Sequence, residues 1–240
     1  MQGIAIMNHF VWADLSTYNP ASSMQFYERI FGWQFHDSGG YFVAMQGLSE
    51  VVGLFETPAF FQKIKMPHFW MSYIAVEDAI ATADQVKEFD GAKVELTDHF
   101  YGGQIALIRD PQGAGFTIYD GGKLNCRSTG TNRLIWNELH VSNAATVIPF
   151  YERLFQWTFD ASESGDRFRI LDRQQEHIAD ILVLPNSVKG QYEYWVCSFA
   201  VDHLRETADR IEACGGGIVF DEGERMMMHD NSGEAFFYIQ

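Results

Sequence analysis

Phe26-Tyr27-Glu28-Arg29-Ile30-Phe31-Gly32-Trp33 returns 124 positions later as Phe150-Tyr151-Glu152-Arg153-Leu154-Phe155-Gln156-Trp157. The same shift carries Trp12-Ala13-Asp14-Leu15 onto Trp136-Asn137-Glu138-Leu139 and Asn19 onto Asn143. Further along, Val76-Glu77-Asp78 and Thr82-Ala83-Asp84 reappear as Val201-Asp202-His203 and Thr207-Ala208-Asp209, and Asp110…Gly113…Phe116 as Asp230…Gly233…Phe236. Four matches in one order read as a tandem duplication of a half-length unit.

Each half divides again by periodicity. Phe10–Leu15 reads as a short strand, and Asn19-Pro20 as a helix start with Asn capping and Pro at the first helical position. Met24, Tyr27 and Phe31 follow at helical spacing, Phe26 and Ile30 widen the apolar face, and Gly32 closes the helix. Tyr41–Met45 and Val51–Phe55 are aromatic and β-branched, as strands are. A strand at Trp70–Val76, a helix from Asp78 to Phe89 and strands near Lys93–Thr97, Gln104–Arg109 and Phe116–Tyr119 complete the half. Asp110-Pro111-Gln112-Gly113 forms the turn between the last two. The fold class is α+β, four βαβββ modules in series. The domains expected are residues 1–122 and 133–240, joined by a polar, glycine-containing linker at 123–132.

The 240 residues include 20 Phe and 6 Trp, and 47% are apolar, ample for packed cores. With 17 Lys+Arg against 32 Asp+Glu the net charge is -15, which argues against nucleic-acid partners and anionic membrane surfaces. Cys126, Cys197 and Cys214 cannot all pair and form no C-x-x-C, so they read as reduced thiols, Cys197 as a small buried hydrophobe. No signal-peptide pattern and no bilayer-length apolar run are read, so a cytoplasmic protein is expected.

Four such modules, with F-Y-E-R-[IL]-F-x-W twice in register and D-P-Q-G before a closing strand, resemble the glyoxalase/bleomycin-resistance/extradiol-dioxygenase (vicinal oxygen chelate) superfamily, and in particular its tandem glyoxalase-like proteins. The resemblance covers nearly the whole chain. It implies paired modules that curl mixed sheets into two cups, with ligands bound on the cup floor. Many members hold a divalent metal there, with a His or Gln from the first strand of each module and a Glu from its last strand. The matching positions here are Trp12, Met71, Trp136 and Val196 on first strands, and Thr117 and Phe237 on last strands. Glu56 and Asp180 are the best offers in the odd modules. That is not a divalent-metal donor set, so no metal and no other cofactor is expected.

Of the eight histidines, His68, His99, His140, His177 and His229 sit at expected loop–strand junctions and read as solvent-facing or edge residues. His229, flanked by methionines, is the one expected to face a cup. Alternate strand residues share a face, so Trp12 points with Asp14 and Trp136 with Glu138. Such a carboxylate beside an indole could anchor a polar or cationic ligand or act as acid or base. Alternatively, it pairs with Arg29 or Arg153 on the helix. Met71 with Tyr73, and Thr117 with Tyr119, add lining. The candidate ligand-binding residues are therefore Trp12, Asp14, Met71, Tyr73, Thr117, Tyr119, Trp136, Glu138 and His229, with Asp14 and Glu138 the catalytic candidates. Phe26, Tyr27, Phe150 and Tyr151 read as core. The expected function is binding of a small organic molecule in an aromatic cup by a monomer or homodimer without the usual metal. The alternative is a metal-dependent lactoylglutathione-lyase-like enzyme or an extradiol-type dioxygenase with displaced ligands; whether the chain is an enzyme stays open.

Overall fold

The structure, a computed structural model, describes residues 7–124 and 130–240. Cys126 and residues 125–129 of the expected linker lie outside it. The first module is β1 (Phe10–Thr17), α1 (Pro20–Phe31), β2 (Gln34–Asp37), β3 (Tyr41–Gln46) and β4 (Ser49–Glu56), followed by the short α2 (Ala59–Lys63). The second is β5 (Phe69–Ala75), α3 (Ala79–Val86), β6 (Lys93–Phe100), β7 (Gly103–Arg109) and β8 (Gly115–Tyr119). The third is β9 (Leu134–Val141), α4 (Ala144–Phe155), β10 (Thr158–Ala161), β11 (Arg167–Leu171) and β12 (His177–Val183), then α5 (Asn186–Lys189). The fourth is β13 (Tyr194–Phe199), α6 (Leu204–Ala213), β14 (Gly217–Asp221), β15 (Met226–His229) and β16 (Phe236–Ile239).

These strands form two eight-stranded mixed sheets, β2-β3-β4-β1-β5-β8-β7-β6 and β10-β11-β12-β9-β13-β16-β15-β14. Within each module the first strand runs parallel to the last and the other pairs are antiparallel. The architecture is thus the α+β arrangement of four βαβββ modules. The edge strands β2 and β10 escape the sequence pattern because they are four residues long and largely exposed, so no buried alternation marks them. The α1 start behaves as read: the Asn19 side chain accepts from the Ser22 amide, and Gly32 ends the helix in the left-handed region. In the repeat Gln156 takes that conformation at φ 56, a strain the glycine copy avoids.

By contacts the described residues divide into two compact units, each drawing on both halves of the chain. One holds residues 7–11, 72–124 and 136–196, and the other 12–71, 130–135 and 197–240. Each unit has an aromatic core. In the first unit Phe10 lies 4.9 Å from Trp195, and Phe155 4.7 Å from Trp157. In the second Phe31 lies 4.7 Å from Trp33, and Trp70 5.2 Å from Phe199. Tyr27, Phe26, Phe150 and Tyr151 are core residues, as their helical spacing predicts.

Both cores contain the same buried chain of polar groups. In the second unit the Trp70 indole donates to the Tyr27 hydroxyl (3.1 Å), which donates to Asp230 (3.4 Å). In the first the Trp195 indole donates to Tyr151 (3.0 Å), which donates to Asp110 (3.1 Å). The aspartates are those of the repeated closing turn. Asp110 also accepts from the amides of Gln112 and Ala114, and Asp230 from that of Ser232. The motif tyrosine and the motif aspartate, 203 and 41 residues apart, are one structural device, since a buried carboxylate needs donors and a buried hydroxyl needs an acceptor. A second duplicated contact fixes the chain ahead of β1 and β9. Asn8 and Asn132 both have positive φ, and their carbonyls accept from the indoles of Trp157 (2.9 Å) and Trp33 (2.8 Å).

Candidate functional site

In the first unit, the pleat of β9 separates two faces. Leu139 and Val141 enter the apolar core, so Trp136, Glu138 and His140 lie together on the opposite face. The β9–β12 register sets Asp180 beside Glu138. Two buried carboxylates, 0% and 5% exposed, are adjacent on one face and require compensation. Their neighbours supply it. The Arg167 guanidinium from β11 lies 3.5 Å from Glu138 and 3.5 Å from Asp180. Asp180 accepts from the Trp136 indole (3.2 Å) and pairs with His177 (2.9 Å), whose ring meets Trp136 edge-on at 4.7 Å. The other Glu138 oxygen meets His140 Nε2 at 2.7 Å, both side chains fully buried. His140 Nδ1 lies 3.3 Å from the hydroxyl of Tyr194, at the start of β13. An ionised carboxylate only accepts, so Nε2 carries the proton and Nδ1 accepts from the Tyr194 O–H. Burial, with the charges of Glu138 and Glu193, pushes the Tyr194 phenol well above its ordinary value. Trp136, Arg167, His177 and Tyr194 are half-buried, so this cluster is open to solvent on one side.

The matching place in the second unit is built differently. Asp14, 1% exposed, accepts from the Tyr41 hydroxyl (3.3 Å), which itself accepts from the Trp12 indole (2.9 Å). Register aligns the two copies: Asp14 pairs with Gly53 and Tyr41 with Phe55, as Glu138 pairs with Asp180 and Arg167 with Leu182. Gly53 therefore replaces Asp180, and Tyr41 replaces Arg167. A Cβ on Gly53 would stand 1.8 Å from the Tyr41 hydroxyl, so the tyrosine fills the space that the second carboxylate occupies in the repeat. Asp14 accepts from a neutral hydroxyl, whereas Glu138 and Asp180 share a cation.

The structure thus brings Trp136 and Glu138 into a polar cluster, and Trp12 and Asp14 into a smaller one. Neither carboxylate pairs with helix arginines; Arg153 instead pairs with Glu88, because the helix packs on the opposite face of the sheet. Tyr73 and Thr117 are register partners on β5 and β8, and Tyr119 shares their face, its hydroxyl donating to the Tyr101 carbonyl (3.0 Å). Met71 is buried on β5. His229 is half-buried over Gly217, with Nδ1 2.9 Å from the Asp230 carbonyl; both residues belong to the second unit. His140 corrects the expectation of an edge residue, for it is wholly buried in a central strand. Arg167, His177 and Tyr194 escape sequence reading as site residues, and Asp180 is read there only as a possible metal donor. The available signal was the alternation Trp136-x-Glu138-x-His140, which adds an imidazole to the Trp-x-acid pair.

The positions where the family places a metal's donors hold Trp12, Met71, Thr117, Trp136, Val196 and Phe237. None is an imidazole or carboxylate. Of the two acids offered in the odd modules, Glu56 accepts from the Gln62 amide, and Asp180 already faces Arg167 and His177. Among the described residues no group of three or more His, Cys, Asp or Glu is placed to hold a metal ion. This donor set does not fit a divalent cation.

The chain is similar to several known proteins. The model of the Glyoxalase/Bleomycin resistance protein/Dioxygenase superfamily matches residues 6–118. A Mycobacterium tuberculosis protein provisionally named glyoxylase CFP32 is 29% identical, over 89% of this chain and 85% of its own. The anthracycline biosynthesis protein DnrV of Streptomyces peucetius is 24% identical over 95% and 92%. Among solved structures, the Mn(II)-bound glyoxalase of Novosphingobium aromaticivorans matches with TM-score 0.66 at 12% identity, over 97% of this chain and 81% of that one. The 2,3-dioxygenase LapB of Pseudomonas sp. KL28 matches with TM-score 0.64 at 11% identity, over 99% and 94%. The family match thus spans most of the first half, and the two sheets share the fold of these solved glyoxalase and dioxygenase structures.

Proposed function

We propose that this protein binds a small organic molecule through its own side chains, without a divalent metal, at the face carrying Trp136, Glu138, Asp180 and Arg167. The observation that carries this reading is the guanidinium set between two buried carboxylates. In a site of this kind the cation can come from a metal or from the protein, and here an arginine supplies the positive charge. The half-buried Trp136 offers an aromatic surface beside those polar groups, as small-molecule sites do. The relatives' names, a glyoxylase and an anthracycline biosynthesis protein, are compatible with a small organic ligand.

Elemental analysis of the purified protein, followed by a thermal-shift screen of small aromatic and carbonyl compounds, tests it. The expected result is no stoichiometric metal, and a ligand that raises Tm in the wild type but not in Trp136→Ala. A ligand at a hundredfold its Kd stabilises the folded state by about 2.7 kcal/mol. Stoichiometric Mn, Fe, Ni or Zn that leaves with a chelator and takes ligand binding with it would replace this reading by the metal-dependent lyase or dioxygenase alternative.

A further inference from the structure

We propose that Glu138, His140 and Tyr194 form a proton relay that lets this face take the proton of an acidic hydroxyl, a phenol or an enol, on the bound molecule. The proposal rests on the ligand-binding reading above and adds a chemistry to it.

The relay has a buried end and an open one. Glu138 and His140 are fully buried and 2.7 Å apart, with Arg167 behind the second carboxylate oxygen. That carboxylate fixes the imidazole tautomer, turning the Nδ1 lone pair toward the Tyr194 hydroxyl 3.3 Å away. Tyr194 is half-buried at the first position of β13. It is therefore the member of the three that a ligand can reach.

The proton balance is simple. The ligand O–H bond breaks and its proton passes to Tyr194 Oη, while the Tyr194 O–H proton passes to His140 Nδ1. The ligand becomes an oxyanion, His140 becomes an imidazolium held against the Glu138 carboxylate, and no oxidation occurs. Tyr194 never rests as a phenolate. Its burial and the nearby charges of Glu138 and Glu193 disfavour that state, so the tyrosine conducts a proton rather than storing charge. The charged and titratable groups near the relay are Glu138 and His140 from β9, Arg167 from β11, His177 and Asp180 from β12, Tyr194 of β13, and Glu193 just before it, which pairs with the buried Lys189 of α5 at 3.0 Å.

The duplication supplies an internal control. At the positions equivalent to His140 and Tyr194 the first copy has Ser16 and Phe69, and Ser16 instead bonds the Thr57 hydroxyl at 2.9 Å. The relay belongs to one copy alone, so neither the fold nor the motifs that build it require those residues there.

The test uses the intact protein and 4-nitrophenol, whose phenolate has its own absorbance band. Binding is read by calorimetry and ionisation by absorbance, at about one pH unit below the probe's own pKa. Wild type is expected to bind the probe and convert the bound fraction to phenolate. In Tyr194→Phe and His140→Gln the bound fraction is expected to form phenolate about tenfold less readily than in wild type, an apparent shift of about one pKa unit. If His140→Gln fails to fold, Tyr194→Phe carries the comparison, since it deletes one half-buried oxygen. Binding without ionisation, or ionisation kept in Tyr194→Phe, overturns the relay and leaves the ligand site standing. No binding by wild type overturns both.

Discussion

The buried aspartate of the D-P-Q-G turn makes a quantitative prediction. Burial pushes Asp110 up to about 6, against the pull of the Gln112 and Ala114 amides and the Tyr151 hydroxyl, from an ordinary 3.8. A carboxyl raised on folding holds its proton in the native state where the unfolded chain has released it. Its contribution therefore favours folding at low pH and is lost as pH rises through the window from 3.8 to about 6. A shift of about two units corresponds to about 3 kcal/mol, of which about 2 kcal/mol falls between about pH 4.5 and 7. Asp110→Asn keeps an acceptor for the two turn amides but cannot titrate. Urea denaturation of both proteins across that range should show the stability of wild type, relative to the variant, falling by about 2 kcal/mol from about pH 4.5 to 7. Comparing the two cancels the other carboxylates. Parallel curves for wild type and Asp110→Asn would refute the reasoning, and a gap that widened in favour of wild type with rising pH would reverse its sign.

Gly53→Ala should cost about 1–3 kcal/mol by chemical denaturation, because the new methyl collides with the Tyr41 hydroxyl, and most of that cost should vanish in a Tyr41→Ala background. Arg167→Leu should destabilise by about 1–3 kcal/mol, since it removes the cation shared by two buried carboxylates. Arg153→Leu, at a pair more than half exposed, should cost about 0.2–1 kcal/mol in the same assay. Burial raises Asp172, but the Glu176 amide and the ion pair with His9 (2.8 Å) hold its carboxyl below the usual range. His9→Ala should therefore cost about 1–3 kcal/mol at neutral pH. Because a lowered carboxyl contributes its stability above the unfolded value, that cost should shrink as pH falls through the folded one, as denaturation midpoints below about pH 4 will show.

The fold was legible because its signals are local and repeated. The Asn19 cap, the helical spacing of Tyr27 and Phe31, and Asp110…Gly113 each act within a few residues, and the duplication repeats each at Asn143, at Tyr151 and Phe155, and at Asp230…Gly233. The site was legible only in part. Trp136 and Glu138 could be paired because a strand's period is two. Arg167 and Asp180 joined them through strand register, which links positions 29 and 42 residues beyond Glu138 and leaves no trace along the chain. His140 was misjudged as an edge histidine because its strand runs to Val141, beyond where the apolar pattern fades, so burial came from tertiary pairing rather than from its neighbours in sequence. The Trp–Tyr–Asp chains were hidden for the same reason, although both their motifs were visible separately.

The two copies differ as sets of residues rather than position by position, and this coupling can be tested. Asp14 faces Gly53 across the register and accepts from the Tyr41 hydroxyl. Glu138 shares its face with Asp180, and two adjacent buried carboxylates demand a cation. Converting the first site toward the second therefore needs two changes. Gly53→Asp alone adds an uncompensated carboxylate and drives it into Tyr41. Tyr41→Arg alone opens the space but loses the hydroxyl that bridges the Trp12 indole and Asp14. Together they recreate the arrangement of Glu138, Asp180 and Arg167, in which a guanidinium at 3.5 Å serves both acids. A double-mutant cycle by urea denaturation should give a favourable coupling of about 1–3 kcal/mol, well beyond the few tenths expected of independent sites. Simple additivity would mean that the arginine and the second carboxylate are separate accidents of the repeat. A positive coupling would mean that the charged face is one unit, gained or lost whole, and that the chemistry proposed for it has a physical foundation only in the copy where the whole set is present.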